Sequence, residues 1–448
     1  VNLSEKCRAL FRWTSLGTAV GLACGGASAI FLTLLDHATR LRESHPSIVY
    51  SLPVAGLVIG LVYERWGASI RGGNNLVIDA IHDDTPQIPL RMAPMVLAGT
   101  VLTHLFGGSA GREGTAVQMG ASLADALSHR LRVAAETRRQ LLAAGIAGGF
   151  GSVFGTPIAG AIFGLEVVAV GRMDYEALAP ALVASLVGDY VTRHLGVVHT
   201  AYPVVEAVAL SPGLVGKLVV LGAAMAAAAT AFVELTHGLK RQLERRLVRL
   251  PLRMCAGGVT VVIMWKLVGT SDYLGIGVPT IVRSFSDPSL PVYAFAAKLV
   301  FTSVTLASGF LGGEVTPLFF VGAALGNVMA RALDLPIVLG AGLGIAAVFG
   351  SAANTPVALS IMAVELLGRG AFPHVMIVCV VAYVLTGHRS IYPAQRMLRR
   401  KHGGTPLAAP LALRDFLEAQ MAAPEAAPPE APPQHDDATS SPSKGRTP

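Results

Sequence analysis

Two glutamates sit where an apolar chain has little reason to keep a charge. Glu113 lies in "GGSAGREGTAVQMG" (107–120) and Glu314 in "GFLGGEVTPLFF" (309–320). Each is flanked by glycines, Gly111 and Gly114 around the first, Gly312 and Gly313 before the second. A threonine follows two residues later, Thr115 and Thr316. The glycines let the backbone leave helix and come close to a neighbour, and "TAVQMGASLADAL" then resumes a helical pattern. A carboxylate just before a helix N-terminus competes for the free N–H groups that would otherwise hold a small anion. Protonated, it can swing away and admit the anion; deprotonated, it blocks the site. Such a group is both gate and proton carrier. An uncompensated charge at membrane depth costs about 3 kcal/mol or more, so an ionisable residue there is functional by default. Glu314 follows the same logic, as a second proton position or a group that shapes the anion site, and Thr316 adds a hydroxyl donor. The plainer readings are an Arg112–Glu113 pair in a solvated loop and a Glu314 that merely caps the next helix.

A third glycine-punctuated loop, "RGGNNLVIDAIHDD" (71–84), brings Gly73, Asn74 and Asn75 to the start of a short helix. The asparagine amides can donate to an anion, although asparagine also belongs in ordinary turns and caps. Asp79, His82, Asp83 and Asp84 match no metal-ligand spacing and read as solvated acids, so neither metal nor cofactor is expected. Tyr392, in "GHRSIYPAQ" (387–395), is expected to open a last helical segment; on its own it reads as an interfacial tyrosine. Glu166 and Glu365 read as structural helix-end residues.

Lipid is the solvent that must position these groups. Of 448 residues 52% are hydrophobic and only 14% charged, and the mean hydropathy is +0.57, whereas a soluble domain carries about a quarter charged residues. Windows at 13–35, 213–233 and 373–387 are long and apolar enough for spanning helices, which take about 20 residues. Shorter apolar runs broken by Gly and Pro predict broken or tilted helices. The net charge of +7 is no nucleic-acid footprint. It falls in short loops such as "KRQLERRLVRLPLR" (240–253) and "RMLRRKH" (396–402), which the positive-inside rule places in the cytoplasm. No cleavable signal peptide is evident. Cys7, Cys24, Cys255 and Cys379 are scattered and read as fillers, with no disulfide framework or zinc site. The Pro/Ala/Ser-rich segment from about 422 cannot bury a core.

The chain also repeats itself. "GIAGGFGSVFGTPIAGAIFGLE" (145–166) aligns without gaps to "GIAAVFGSAANTPVALSIMAVE" (344–365), with 11 of 22 positions identical. An almost equal offset lays "GREGT" (111–115) on "GGEVT" (312–316). The loop after the first copy, "HRLRVAAETRR" (129–139), has four arginines, and its counterpart "ARALDLPIVLG" (330–340) has one. Basic loops stay inside, so the two copies point opposite ways. Inverted repeats with glycine-interrupted segments at matching places mark a carrier or channel with its site near the midplane.

Taken together these motifs resemble the CLC family of chloride channels and anion/proton antiporters, and most of all its fluoride-specific bacterial branch, over nearly all of residues 10–405. The family's gating-glutamate motif stands here as Gly111-Arg112-Glu113-Gly114-Thr115, with Thr where most members have Pro. A second family segment stands as Gly312-Gly313-Glu314-Val315-Thr316-Pro317. Both are the fluoride-branch forms. The family's anion-coordinating serine corresponds to Asn74 and its pore tyrosine to Tyr392. Chloride/proton antiporters carry two adjacent glutamates where this chain has Glu166-Val167, which leaves Glu113, assisted by Glu314, to handle the proton. The resemblance implies a homodimer with one pathway per subunit. It also implies no nucleotide-binding regulatory domain in a chain of this length.

The expectation is therefore an all-α polytopic membrane protein with a CLC-like inverted-repeat architecture, not an enzyme: no HExxH, GxSxG or comparable set appears. The first repeat is expected over 1–210 and the second over 211–405, including a final pore helix. A cytoplasmic, largely disordered tail is expected over 406–448. The expected activity is export of cytoplasmic fluoride in exchange for protons across the inner (plasma) membrane. Glu113 and Glu314 would gate and couple, and Asn74, Thr316 and Tyr392 would bind the anion. Gly73, Gly111, Gly114, Gly312 and Gly313 would form the helix N-termini. A chloride/proton antiporter or chloride channel of the same fold is the alternative, and an intramembrane enzyme using Glu113 or Glu314 as acid or base is the more remote one. The substrates would be fluoride and protons, and the partners the bilayer and a second copy, with no nucleic acid.

Overall fold

The computed structural model describes residues 3–83, 87–206, 208–401 and 406–422. Eight helices come first: α1 (Leu3–Ser44), α2 (Leu52–Trp66), α3 (Asn74–His82), α4 (Met92–Leu105), α5 (Glu113–Arg130), α6 (Ala135–Phe154), α7 (Pro157–Glu166) and α8 (Leu178–His194). Eight more repeat the series: α9 (Pro212–Arg246), α10 (Leu250–Val268), α11 (Val278–Arg283), α12 (Ala294–Ala307), α13 (Val315–Leu333), α14 (Ile337–Ala352), α15 (Pro356–Leu367) and α16 (Phe372–Thr386). Among the described residues six segments, built on α1, α2, α9, α10, α13 and α16, are long and apolar enough to cross a membrane. Several of the rest, α4, α7, α12, α14 and α15, are apolar but shorter, so they start or stop inside the layer.

The duplicated motif makes the same turn twice. Gly155 ends α6 in the left-handed region (φ 74), and Asn354 takes the equivalent place after α14 (φ 58). Asparagine is the usual non-glycine residue for that conformation. Thr-Pro follows in both copies, and proline at the first helical position starts α7 and α15 with φ already set. The helix pairs α5–α6 and α13–α14 cross where a Cβ on Gly120 or Gly322 would strike the carbonyl of Gly145 or Gly344. Only glycine allows so close a crossing.

Contacts fix the opposed orientation of the repeats. The α5–α6 connection lies at the α1 N-terminus, where Arg12 Nη2 donates to Thr137 Oγ1 at 2.7 Å. The α13–α14 connection lies at the α9 N-terminus, where Lys217 Nζ donates to the Asp334 carbonyl at 3.0 Å. The basic C-terminal end of α9 reaches the cavity lined by Arg71–Asn75. Ser69, beside that segment, accepts from Arg91, and the 87–91 stretch docks on Asp125 of α5 through the Ile88 N–H. The four-arginine connection and the basic α9 end therefore share one side, and the one-arginine connection faces the other.

The repeats lock together through carboxylates. Glu166, the last residue of α7, accepts from Val357 and Ala358 N–H (3.1 and 2.7 Å) at the start of α15. Glu365 on α15 returns the contact, accepting from Ile158 and Ala159 N–H (3.0 and 2.7 Å) at the start of α7. A helix that begins in an apolar layer leaves its first N–H groups unmet, and each repeat here supplies the acceptor for the other.

Three expectations are corrected. Among the described residues no helix opens at Tyr392: residues 396–399 form a strand, β2 (Arg396–Arg399). It runs parallel to β1 (Ala169–Val170) and antiparallel to β3 (Pro406–Ala412). The tail expected to be largely disordered from 406 continues as β3 and α17 (Leu413–Ala422), whose Leu413 and Phe416 pack on Val170 and Met397; 423–448 lie outside the described residues. Asp79 and Asp83 are not simply solvated either. Asp79 pairs with Arg414 at 3.0 Å and Asp83 with Arg396 at 2.7 Å, fastening this sheet to α3. Asp84 lies outside the described residues.

Glu166→Ala strips a charged acceptor from two N–H groups at a site only 5% exposed, at a cost of about 3 kcal/mol. Its melting temperature in detergent should fall clearly below the parent's. Glu365→Ala, at a position exposed at the surface of the single chain, should lower it less.

Candidate functional site

The two glutamate loops meet at the centre. Gly111 N–H donates to the Gly313 carbonyl at 2.6 Å, and Gly313 N–H donates to that of Gly111 at 2.8 Å. This two-residue antiparallel bridge holds the starts of α5 and α13 against each other. Side chains are barred from it: a Cβ on Gly313 would lie 2.7 Å from Gly114 N, and one on Gly111 would lie 2.8 Å from Pro317 Cδ. Gly312 adopts φ 149, outside the range L-residues favour.

Glu113 is the first residue of α5 and fully buried. Its carboxylate turns away from its own helix to the N-terminus of α13. There Thr316 Oγ1 donates to Oε1 at 2.6 Å and lies 2.5 Å from Oε2, while Thr316 N–H donates to Oε2 at 3.2 Å. Arg112 adds its N–H at 3.2 Å and its Nε at 3.3 Å. The positive end of a helix dipole, a hydroxyl and an amide thus converge on one carboxylate, which are the elements of an anion site.

Glu314 breaks the symmetry. By the repeat it should reach the α5 N-terminus and Thr115, but Thr115 Oγ1 instead meets Thr100 Oγ1 at 2.7 Å. The Glu314 Oε2 is buried without a hydrogen-bond partner among the described residues. Glu314 lines a cavity of about 240 Å3 together with Gly73, Asn74, Tyr392, Lys240 and Arg253. Asn74 is the first residue of α3, behind Gly73 with φ 56, and its Oδ1 is also unpartnered. Its Nδ2 lies 3.0 Å from where a Cβ on Gly114 would stand. The Tyr392 ring is buried. Thr316, predicted as an anion donor, is engaged by Glu113.

A larger cavity of about 670 Å3 opens on the opposite flank, where Arg112, Arg42 and Thr280 line it. Glu113 and Thr316 line neither cavity. They stand between a chamber that touches Arg112 and one that touches Glu314. Among the described residues no group of His, Cys, Asp and Glu is placed to hold a metal.

Sequence reasoning missed the residues that hold Tyr392. Gln395 is completely buried. Its amide donates to the Val167 and Ala353 carbonyls (2.9 and 2.8 Å), and its Oε1 accepts from Ser390 Oγ and Asn354 Nδ2 (2.7 and 3.0 Å). Ser390 Oγ in turn accepts the Tyr392 N–H at 2.9 Å. Asn75, considered as an anion donor, instead accepts from Ala394 N–H at 3.0 Å and ties the Asn74 loop to the Tyr392 loop. A lone glutamine three residues past a tyrosine carries no signal of this in sequence.

Comparison with known proteins follows the same lines. A family model described as voltage gated chloride channel matches residues 55–387. A chloride/fluoride channel protein of Pseudomonas syringae pv. tomato is 48% identical over 410 residues, 90% of each chain. The crystal structure of a CLC-type fluoride/proton antiporter superposes with a TM-score of 0.85 at 36% identity, covering 89% of this chain and all of that one. A slow cyanobacterial Cl−/H+ antiporter shares the fold with a TM-score of 0.75 at 16% identity, covering 92% and 98%.

Gly313→Ala should separate the two loops, with loss of anion flux and a lower melting temperature. Gly26→Ala, where a Cβ meets nothing within 4 Å, is the silent control. Equal behaviour of the two variants in flux and melting assays would show that the loop bridge is dispensable.

Proposed function

The chain belongs to the voltage-gated chloride channel (CLC) family, and from that premise we propose that it exports fluoride from the cytoplasm in exchange for protons. It is a membrane-spanning transport protein, not an enzyme, and the plasma membrane is the barrier across which the exchange would act. The reading is supported by the form of the two glutamate loops and by the fluoride-linked proteins of 48% and 36% identity.

One observation carries the mechanism: the Glu113 carboxylate rests on the amide and hydroxyl of Thr316 at a helix N-terminus. Those donors stabilise a negative charge, whether carboxylate or fluoride. A proton arriving through the chamber beside Arg112 neutralises Glu113 and removes the charge they hold. The neutral carboxyl then leaves, and fluoride from the Asn74–Tyr392 side takes its place. Fluoride is a strong acceptor that holds its water tightly, so a site that strips it must offer good donors; Thr316, Asn74, Tyr392 and two helix N-termini supply them. Glu314, with an unpartnered oxygen facing the inner cavity, passes the proton to the cytoplasmic side. Val167, 3% exposed at the end of α7, offers no carboxyl for a second path. In this reading the inverted halves, about 1–210 and 211–405, each contribute one glutamate loop. The terminal sheet and α17 face the cytoplasm with the basic loops, and two copies pair, each with its own pathway.

Efflux from proteoliposomes loaded with fluoride or chloride, with pH recorded alongside, tests this. Fluoride efflux with proton uptake is expected, and it should exceed chloride efflux. Glu113→Gln should abolish or uncouple proton movement. Glu314→Gln should slow coupled transport at least tenfold if it relays the proton, about 1.4 kcal/mol of barrier. Chloride efflux equal to or faster than fluoride would move the assignment to a chloride transporter of the same fold.

A further inference from the structure

The α2–α10 pair turns one face to lipid, and its two ends are dressed differently. A Cβ on Gly258 would lie 2.8 Å from Pro53 Cα, one on Gly56 would lie 2.8 Å from the Met254 carbonyl, and one on Gly60 would lie 2.5 Å from Pro251 Cα. These contacts ascend α2 as they descend α10, so the helices run antiparallel with their backbones touching. Val54, Val58 and Leu61 on α2 and Leu252, Val259 and Ile263 on α10 are left exposed. In a membrane-spanning chain such side chains meet acyl chains.

Aromatic rings mark both ends. At the outer end Tyr50 and Trp265 meet edge to face at 5.5 Å, and Lys266 Nζ sits 5.0 and 4.9 Å from their centroids. That cation already has its partners. At the inner end Trp66 is 54% exposed, with the Arg65 guanidinium 5.8 Å from its ring. Rings of this kind settle at headgroup level, and about 24 Å of helix rise separates Tyr50 from Trp66.

The inner end also holds more positive charge than its own acids can meet. Arg249 pairs with Glu64 at 3.3 Å. Arg65, Arg245 and Arg246 are exposed and pair with no acid among the described residues. Glu244, the other acid nearby, is taken by Arg253 at 3.5 Å. Four arginines thus share one carboxylate beside an interfacial tryptophan. Topology alone requires only basic residues near the apolar end; it does not require a guanidinium held against an exposed ring at the foot of an apolar face.

We propose that the inner end of the α2–α10 pair binds one anionic phospholipid of the inner leaflet. Arg65 and Arg249 meet its phosphate, and its acyl chains lie along the exposed apolar side chains of the pair. Arg245 and Arg246 add attraction at longer range. Charge chooses the occupant: each basic group near an anionic surface favours binding by about fivefold, whereas a zwitterionic headgroup brings no net charge to these arginines. A soluble acidic protein could meet the arginines but not the apolar side chains that continue from them into the bilayer. The site is present whichever anion the protein moves.

Trp66 reports on it directly. With Trp13→Phe and Trp265→Phe it is the one tryptophan left of three, and brominated acyl chains quench tryptophan on contact. In phosphatidylcholine liposomes, brominated phosphatidylglycerol should quench Trp66 at a mole fraction about five- to twentyfold lower than brominated phosphatidylcholine does. Arg65→Gln with Arg249→Gln should bring the two lipids within about twofold of each other. Lys6→Gln with Arg8→Gln removes the same charge from the exposed start of α1 on the same side and should keep the preference. Equal quenching by the two lipids in the parent overturns the site and leaves the arginines to a soluble partner or to topology alone. Equal loss in the α1 control overturns it too, since any basic residue on that side would then serve. The parent comparison uses no site variant, so a folding defect in the double variant cannot leave the question open.

Discussion

Helices that begin inside an apolar layer must find acceptors for their first N–H groups, and this fold depends on where those acceptors come from. Water is excluded there, and an unmet amide costs several kcal/mol. The chain answers with carboxylates that cross the repeat boundary. Glu166 serves α15, Glu365 serves α7 and Glu113 serves α13. Neither half can complete its own broken helices. The repeats are therefore bound by mutual need as well as by the Phe150, Phe163 and Phe349 rings stacked between them.

Exact two-fold symmetry would add a fourth contact, Glu314 to the start of α5, and that one is unmade. Two of the contacts are reciprocal and close a structural lock. The other pair is split: one carboxylate is seated, and its counterpart keeps one oxygen without a hydrogen-bond partner among the described residues, beside the inner cavity. A symmetric pair would hold both glutamates in place and leave no group to move. Duplication thus supplies the housing, and departure from it at Thr115–Thr100 supplies the difference between two sides that a directional process needs.

Much of this was legible in the sequence because the duplicated segment carries its own punctuation. The Gly155/Asn354 turn, the Thr-Pro starts and the terminal glutamates recur at one offset, and the arginine asymmetry of the following loops gives the inversion. The glycine-flanked glutamates were legible as helix-start carboxylates. Their targets were not, since Glu113 reaches a residue 203 positions away and no local pattern encodes such a choice. The strands were hidden for another reason. β1 is two residues long, β3 opens with proline in "PLAAPLA", and neither alternates apolar with polar in a way that reads as a strand. Pro393 after Tyr392 resembles a helix start, but Arg396 finds Asp83 and the β1 backbone, and that pairing outweighs the local preference.

The knot around Gln395 has a consequence for how such a protein sits in its lipid. Four hydrogen bonds join the end of α7, the end of α14 and the Tyr392 loop through one buried amide, and the Gly120 and Gly322 crossings leave no slack for helices to slide. In the exchange proposed above, what moves is the size of a side chain. Transporters that rock one bundle against another must repeatedly reshape the surrounding bilayer and answer to its thickness and lateral pressure. In the exchange proposed above one carboxyl swings inside a constant outer surface, so such a cycle would do no work on the membrane and would answer to proton supply and donor strength rather than to the mechanics of the bilayer.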